Sequence, residues 1–544
     1  MIADQLAPTL DDVAAAVAGG GSVVALQAPV WILWRRNGKL LHGGWHAAPT
    51  LQMALQQSRA NPGAATATAV EICLTQPLQP VPADQITQVF GNRARGRLGI
   101  EIRLGTARHR VPPTLSIATN RSLPREIELF AEATGLSVDD LHQRAEIFSF
   151  TARQFVIGLG SGAAQVEMYR GNIVIPPEAV GPDLLRDTVT GLCDWMLNNV
   201  AASGRMTYKY WPSRGAESQA DNTIRQFMAT VALGRIAQRT IAPAARDALL
   251  RNLAHNLARY YTEIGGLGAI ILDGKAKLGA AALAALAILE SRANGFLAPD
   301  AYAREFDGLC RGIAHLWQPD GAFRTFLVPP DRNDNQNFYP GEALLFWAAL
   351  HRQTKDPELA DKCLKSFAYY SAWHRDAPNP AFVPWHVQAY VMLHEDLGLP
   401  ALAEFVFERC DWLLEMQQWG GRLAPDLWGR FYNPKRPDFG PPHASATGVY
   451  MEGLADAWRL ALQRQDTVRA DRYAKALRRA LRSVAQLQFR DPDSDMFYIA
   501  RPKAARGGLR AETYNNEIRV DNVQHCLMAL LKFDTDPRFP WPAR

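Results

Sequence analysis

Cysteine is scarce in this 544-residue chain, and what there is stands far apart. Cys73, Cys193, Cys310, Cys363, Cys410 and Cys526 form no CxxC pair and mostly fall inside apolar helical patterns. That argues against a disulfide framework or a cysteine-based zinc site, and for buried free thiols in a reducing compartment. Long hydrophobic runs are missing too. The longest, around Leu278 to Leu289, is shorter than the roughly 20 residues a membrane span needs. The opening Met-Ile-Ala-Asp lacks a basic region followed by an apolar run, so no secretory leader is expected there. These absences predict a cytoplasmic protein without a membrane partner. No polybasic arm, RRM motif or zinc-finger spacing is present, so nucleic acid is not an expected partner. The net charge of +5 tolerates an anionic substrate without demanding one.

What is present describes a globular chain of two parts. A hydrophobic share of 48% against 21% charged residues rules out global disorder, and the length suggests two domains. Residues 1–182 read as mixed α+β. "SVVALQAPVWILWRRNGKLLHGGWH" suggests two strands around an Asn37-Gly38 hairpin turn. "AVEICLTQPLQPV" and "GRLGIEIRLGTARHRVPP" read as further strands, and a helix, a short helix and a strand follow.

Residues 183–544 read as helical throughout. Six segments crowd apolar residues on every face, as helices buried all round must. They start near Asp221, Lys277, Tyr339, Pro384, Ala444 and Arg519, about 45–75 residues apart. Each follows a more amphipathic helix, at roughly 186–202, 243–262, 299–316, 357–373, 400–417 and 467–487. Twelve helices alternating outer and inner predict an all-α (α/α)6 toroid. Links from inner to outer helices are mostly short. Links from outer to inner are mostly long, and they gather at one mouth, where a rigid scaffold carries function.

Polar residues recur at that mouth. "NFYPGEALLFWAAL" enters a buried helix through a proline, yet carries Glu342 in its first turn. Asp221, Asn222, Arg225, Trp385, His386, His443, Glu452, Arg519, Asp521, Asn522 and His525 stand at equivalent points of the other helices. Residues three or four apart share a face, so Asp221 joins Arg225 and Asp521 joins His525. The loops add Tyr208, Tyr210, Trp211, Phe323, Arg324, Asp426, Trp428, Arg430, Tyr432 and Tyr498, with Tyr339 at a helix start. Aromatic walls stack on the apolar face of a sugar, carboxylates and histidines exchange protons, and arginines grip a carboxylate bidentately. The expected catalytic set is Glu342, Asp521, His386, Asp426 and Tyr339, and the other mouth residues would bind substrate. Each has a plainer reading. Glu342 suits a helix dipole, Asp221 an N-cap, and His525 a satisfied core position. No metal-ligand spacing appears, His42 and His46 included, and no cofactor is expected.

Two resemblances add to this. On "YKYWPSRGAESQADNTIRQ", "FYPGEALL", "TGVYMEGLADA" and "RVDNVQHCLMALL", the helical part resembles the six-hairpin (α/α)6 carbohydrate-active superfamily, D-glucuronyl C5-epimerase-like toroids in particular. The resemblance implies a sugar or polysaccharide substrate, an anionic uronate among the candidates, with epimerase or lyase chemistry favoured over hydrolysis. A hydrolase would need two carboxyls about 5–5.5 Å or about 6.5–9.5 Å apart, and Glu342 with Asp426 or Asp521 is the pair to test. The first part resembles an AMMECR-type domain on "WILWRRNGKLLHGGWHAAPTLQMALQQSRANPG" and the strands after it. That family's Leu-Arg-Gly-Cys-Ile-Gly run is replaced here by Leu41-His42-Gly43-Gly44-Trp45-His46, so its thiol chemistry does not carry over. The alternatives are a non-catalytic glycan- or peptide-binding scaffold whose N-terminal part recruits a protein partner, and a toroid that modifies peptides or prenyl chains.

Overall fold

The structure is a computed structural model that describes residues 7–436, 439, 444–491 and 494–542. Twelve long helices dominate the second part. They are α1 (Pro182–Asn198), α2 (Thr223–Thr240), α3 (Pro243–Tyr260), α4 (Leu278–Ala293), α5 (Ala303–Leu316) and α6 (Tyr339–Thr354), then α7 (Pro357–Asp376), α8 (Val383–Leu397), α9 (Pro400–Leu414), α10 (Ala444–Gln463), α11 (Thr467–Leu487) and α12 (Val520–Leu531). The even-numbered helices form a closed ring. α2 touches α4, α4 touches α6, and so on through α8 and α10 to α12, which returns to α2. Each outer helix lies on the inner helix before it, and α1 closes the circuit by lying on α12. The expected toroid layout is therefore present.

Composition explains which helices go inside. In α4, "LGAAALAALAILESRA", nearly every side chain through Leu289 is buried, and the many alanines let neighbouring helices approach closely. The outer helix α5 buries one stripe only, and α11 does so until its last two turns, where residues 480–487 are all buried. Reversals at the rear follow a recurring three-residue corner. An inner helix stops at a left-handed residue, one extended residue follows, and a proline begins the outer helix. The corners are Ile241-Ala242-Pro243, Lys355-Asp356-Pro357 and Gly398-Leu399-Pro400, with φ of 54°, 54° and 69° at the first position. The left-handed residue ends the helical run, and proline suits the first helical position because it lacks the N–H left unbonded there.

The long links lie at the other end and hold two small sheets the sequence reading treated as loops. One pairs residues 209–211 with 216–217 and 515–519, and 515–519 with 510–512. The other runs through 261–264, 267–272, 275–277 and 326–328. Short strands of two to six residues leave too little alternation to be read.

The first part carries an eight-stranded antiparallel sheet. Its strands are β1 (Val30–Arg36), β2 (Lys39–His46), β3 (Ala69–Thr75), β4 (Gln79–Pro80), β5 (Leu98–Leu104), β6 (Ala107–Val111), β7 (Glu146–Gly158) and β8 (Gln165–Met168). The main path is β2-β1-β3-β7-β5-β6. The Asn37-Gly38 hairpin forms as expected, both residues at positive φ and Arg36 opposite Lys39. This region is fastened beside the ring's mouth. Ile117, Ala118, Val156 and Met168 belong to the same buried apolar cluster as the helices. Arg170 Nε meets Asp426 Oδ2 at 2.6 Å with both side chains about 2% exposed, and Arg170 also donates to the carbonyls of Arg93 and Arg95. Asn516 Nδ2 donates to the carbonyl of Ile117.

Removing one member of a buried ion pair strands the other charge. Arg170→Met or Asp426→Asn is expected to cost about 3–5 kcal/mol each, read from urea unfolding. Replacing both by apolar residues should cost less than the sum of the two.

Candidate functional site

The N-terminal halves of five of the six inner helices surround a hollow of about 500 Å³. Arg225 comes from α2, Tyr339 and Glu342 from α6, Trp385 from α8, Tyr450 from α10, and Gln524 and His525 from α12, with Arg519 just before it. α4 contributes an absence. A β-carbon on Gly279 would stand 1.7 Å from Glu342 Oε2, so the carboxyl occupies the space that glycine leaves.

Glu342 is 3% exposed, and its Oε2 has no hydrogen-bond partner among the described residues. Burial pushes its pKa up to about 8, against the opposing pull of Arg225 and Lys277. A carboxyl in that state is a proton donor at neutral pH. Asp521 is buried as deeply and behaves oppositely. Burial alone would raise its pKa, but Arg225 and Arg519 hold it well below the usual carboxylate range. Arg225 Nε reaches Asp521 Oδ2 at 3.2 Å, and Arg519 Nε reaches Oδ1 at 2.9 Å. The two guanidiniums are about a third exposed. Asp521 thus stays charged and aims two arginines into the hollow.

His525 Nδ1 and Glu452 Oε1 are 2.7 Å apart in the interior. The Glu452 carboxyl thus holds Nδ1 and fixes the orientation of the ring, the orienting logic of an acid–base triad. The Trp385 ring meets the imidazole edge to face at 5.7 Å. In the ring order, α6 and α12 are three steps apart, so Glu342 and His525 stand on opposite walls.

Several expected residues go elsewhere. His386 is fully buried, stacked on Phe382 at 3.5 Å, with Nδ1 on the Phe382 carbonyl. Burial drives its pKa down to about 3, so it is a neutral core histidine and not a wall of the hollow. Asp426 is held by Arg170, which takes it out of the expected carboxyl pair. Asp221 accepts from Tyr260 Oη and Gln226 Nε2, and Asn222 caps α2 through the Arg225 N–H. Tyr210 is buried in its strand, Trp211 donates to Glu517, and Tyr208 lies alongside Lys209. Arg324 donates to the Pro330 carbonyl and Trp428 to that of Leu423. Arg430 is buried on Gln418, its pKa lowered to about 10 by burial, and Tyr432 accepts from Arg93. Phe323 and Tyr498 are buried, and Asn522 is buried with Nδ2 unbonded among the described residues. His443 lies outside the described residues.

The sequence reading missed Tyr450, Gln524 and Gly279. Gln524 lies three residues after Asp521, so the same-face spacing could have found it. Tyr450 and Gly279 carry no such signal.

No family model matches the chain, and no curated protein does. Solved structures give distant likenesses. A D-mannose isomerase is 11% identical over 66% of this chain and 98% of its own, with a TM-score of 0.49. An α-1,6-mannanase from Salegentibacter is 12% identical over 64% and 98%, at 0.46. A cellobiose 2-epimerase from Bacillus thermoamylovorans is 11% identical over 64% and 98%, at 0.46. Scores below 0.5 carry no weight for the chemistry of this site.

A raised carboxyl pKa has a stability signature. Between the ordinary 4.5 and about 8, the folded state holds a proton the unfolded state has lost. Stability therefore falls as pH rises through that window, by up to about 1.4 kcal/mol per pH unit. Glu342→Gln should remove this slope, so its advantage over the unsubstituted protein grows from pH 5 to 8 and then levels. Denaturant midpoints across that range measure it.

Proposed function

We propose that the chain is an acid–base enzyme acting on a carboxylated sugar, of the epimerase type, with the ring as the catalytic part. The observation that carries this reading is the buried, unpartnered Glu342 carboxyl across the hollow from an imidazole oriented by Glu452. Arg225 and Arg519 would bind the substrate carboxylate between them. His525 Nε2 would take the proton from the carbon next to that carboxylate. The electron pair would move into the carboxylate, where the two guanidiniums offset the added charge. Glu342 would return a proton from the opposite side, leaving the epimer. Solvent exchange would then reset both groups. Positions on opposite walls suit inversion at carbon better than elimination on one face.

Glycoside hydrolysis is less well supported. Asp426 is tied to Arg170, and both oxygens of Asp521 are taken by arginine. For residues 1–182, we propose a positioning unit of AMMECR-like descent that braces the mouth loops through Arg170–Asp426 and Arg93–Tyr432.

Uronate-containing oligosaccharides incubated with the protein in D2O test the reading by NMR. Deuterium should enter the carbon beside the carboxylate, and the epimer should appear. An unsaturated product would mean elimination, new reducing ends hydrolysis, and no turnover of any panel member a binding protein. Glu342→Gln and His525→Asn should each lower kcat by about 10²-fold or more, while Arg225→Met should chiefly raise KM. The rate should fall as pH rises through about 8, where Glu342 loses its proton. Unchanged turnover in both the Glu342 and His525 variants would sink the mechanism.

A further inference from the structure

A second concave surface lies where the sheet-containing region meets the ring. It encloses about 750 Å³ between the β1–β2 hairpin, residues 115–121, the turn at 212–215 and residues 498–501. That volume falls in the range of about 300–1,000 Å³ usual for small-ligand sites. Its charge is one-sided. Arg35, Lys39, Arg121, Arg214 and Arg501 line it, and no aspartate or glutamate does among the described residues. Two of the five are compensated from behind, Arg35 by Glu71 and Arg121 by Glu126. Lys39, Arg214 and Arg501 form no ion pair among the described residues and are exposed. Three like charges facing one concave space repel each other, and an anion relieves that.

The walls are built, not loose. A β-carbon on Gly38 would lie 2.2 Å from the Ile499 carbonyl oxygen, so the hairpin tip lies flat on residues 499–500. Arg501 donates to the Gly215 carbonyl, pinning the 212–215 turn. Ser213 Oγ is buried at the wall with no hydrogen-bond partner among the described residues.

We infer that this groove binds an anionic oligosaccharide, reading its carboxylate or sulfate groups. Two observations select a glycan chain over a nucleic acid. First, among the described residues the groove offers no free aromatic face for a base to stack on. Trp211 is covered by Arg214 at 5.4 Å and donates to Glu517, and Tyr498 is buried. Second, one short strand links the groove to the mouth, with Glu517 held between by Lys209 and Trp211. Lys209 sits opposite Arg519 in the small sheet, and the strand runs from there to Trp211 and the 212–215 turn. Three strand residues span about 10 Å, so one extended chain could touch both places. Only the choice of a glycan rests on the reading of the mouth, since the charge of the groove stands without it.

The test is calorimetric binding of oligogalacturonate, a sulfated oligosaccharide, a neutral oligosaccharide and a single-stranded oligodeoxynucleotide to the full chain. One or both anionic sugars should bind and weaken with salt, the neutral one should not, and the stronger shows which anionic group is read. Combining Lys39→Ala, Arg214→Ala and Arg501→Ala should weaken binding at least tenfold. Lys39→Glu with Arg214→Glu, which leaves the Arg501–Gly215 contact intact, should do the same with an unchanged Tm. Equal binding by these variants, or tighter binding of the oligodeoxynucleotide than of either sugar, would overturn the inference. Glu342→Gln should bind normally even where its turnover is lost, which separates failure of the groove from failure of the mouth mechanism.

Discussion

The Asp521 carboxylate is the constraint on which the mouth depends. It belongs to the last inner helix, and its partner Arg225 belongs to the first, so one ion cluster joins the two ends of the ring. Without its charge, two guanidiniums would crowd one cavity wall uncompensated. With it, they are fixed at the hollow beside Glu342, and the charge of Arg225, with that of Lys277, opposes the neutralisation of that carboxyl. Burial still wins at Glu342, where no donor reaches Oε2 among the described residues, and loses at Asp521, where two cations bond directly. Two buried carboxyls, one lining the hollow and one behind its arginines, are therefore pushed toward opposite protonation states. That division of labour lets one group give protons while the other serves only as an anchor.

The architecture could be read from the sequence because it rests on composition over long windows. A helix such as α4, apolar on every side, has no stable place except inside a ring or bundle, and six of them at regular spacing imply closure. The hairpin at Asn37-Gly38 was legible for a local reason, since few residues tolerate two successive positive φ angles. The site was legible only in part. Position in a first turn brought Glu342, Arg225, Arg519 and His525 together, but the same rule placed His386 there as well. Helix phase decides between them, and one residue of rotation turns a side chain by about 100°. His386 turned toward Phe382 and found a carbonyl, and no periodicity argument would have shown that partner. The Glu452–His525 contact was also out of reach, because it joins residues 73 apart on different helices.

The sheet-containing region contributes through its edges and loops more than through its core. Arg93, Arg170 and the residues around Ile117 reach the mouth-side loops and strands of the ring. Arginine is the instrument at most of these contacts, stacked on an aromatic ring or donating to carbonyls from inside the protein. A guanidinium suits the role because its several donors can satisfy loop carbonyls that no regular ladder would pair. The same chemistry, left unsatisfied, produces the basic groove a few residues away.

The tight corners at the rear of the ring have a mechanical consequence. Three of the hairpins reverse through a left-handed residue, one extended residue and a proline, leaving almost no slack between neighbouring rods. Rods joined so rigidly at one end cannot slide along one another to widen the bore. For those three hairpins, adjustment of aperture is left to the ribbons and irregular segments at the open rim, and the calibre of the hollow follows from how closely the alanine-rich interior packs.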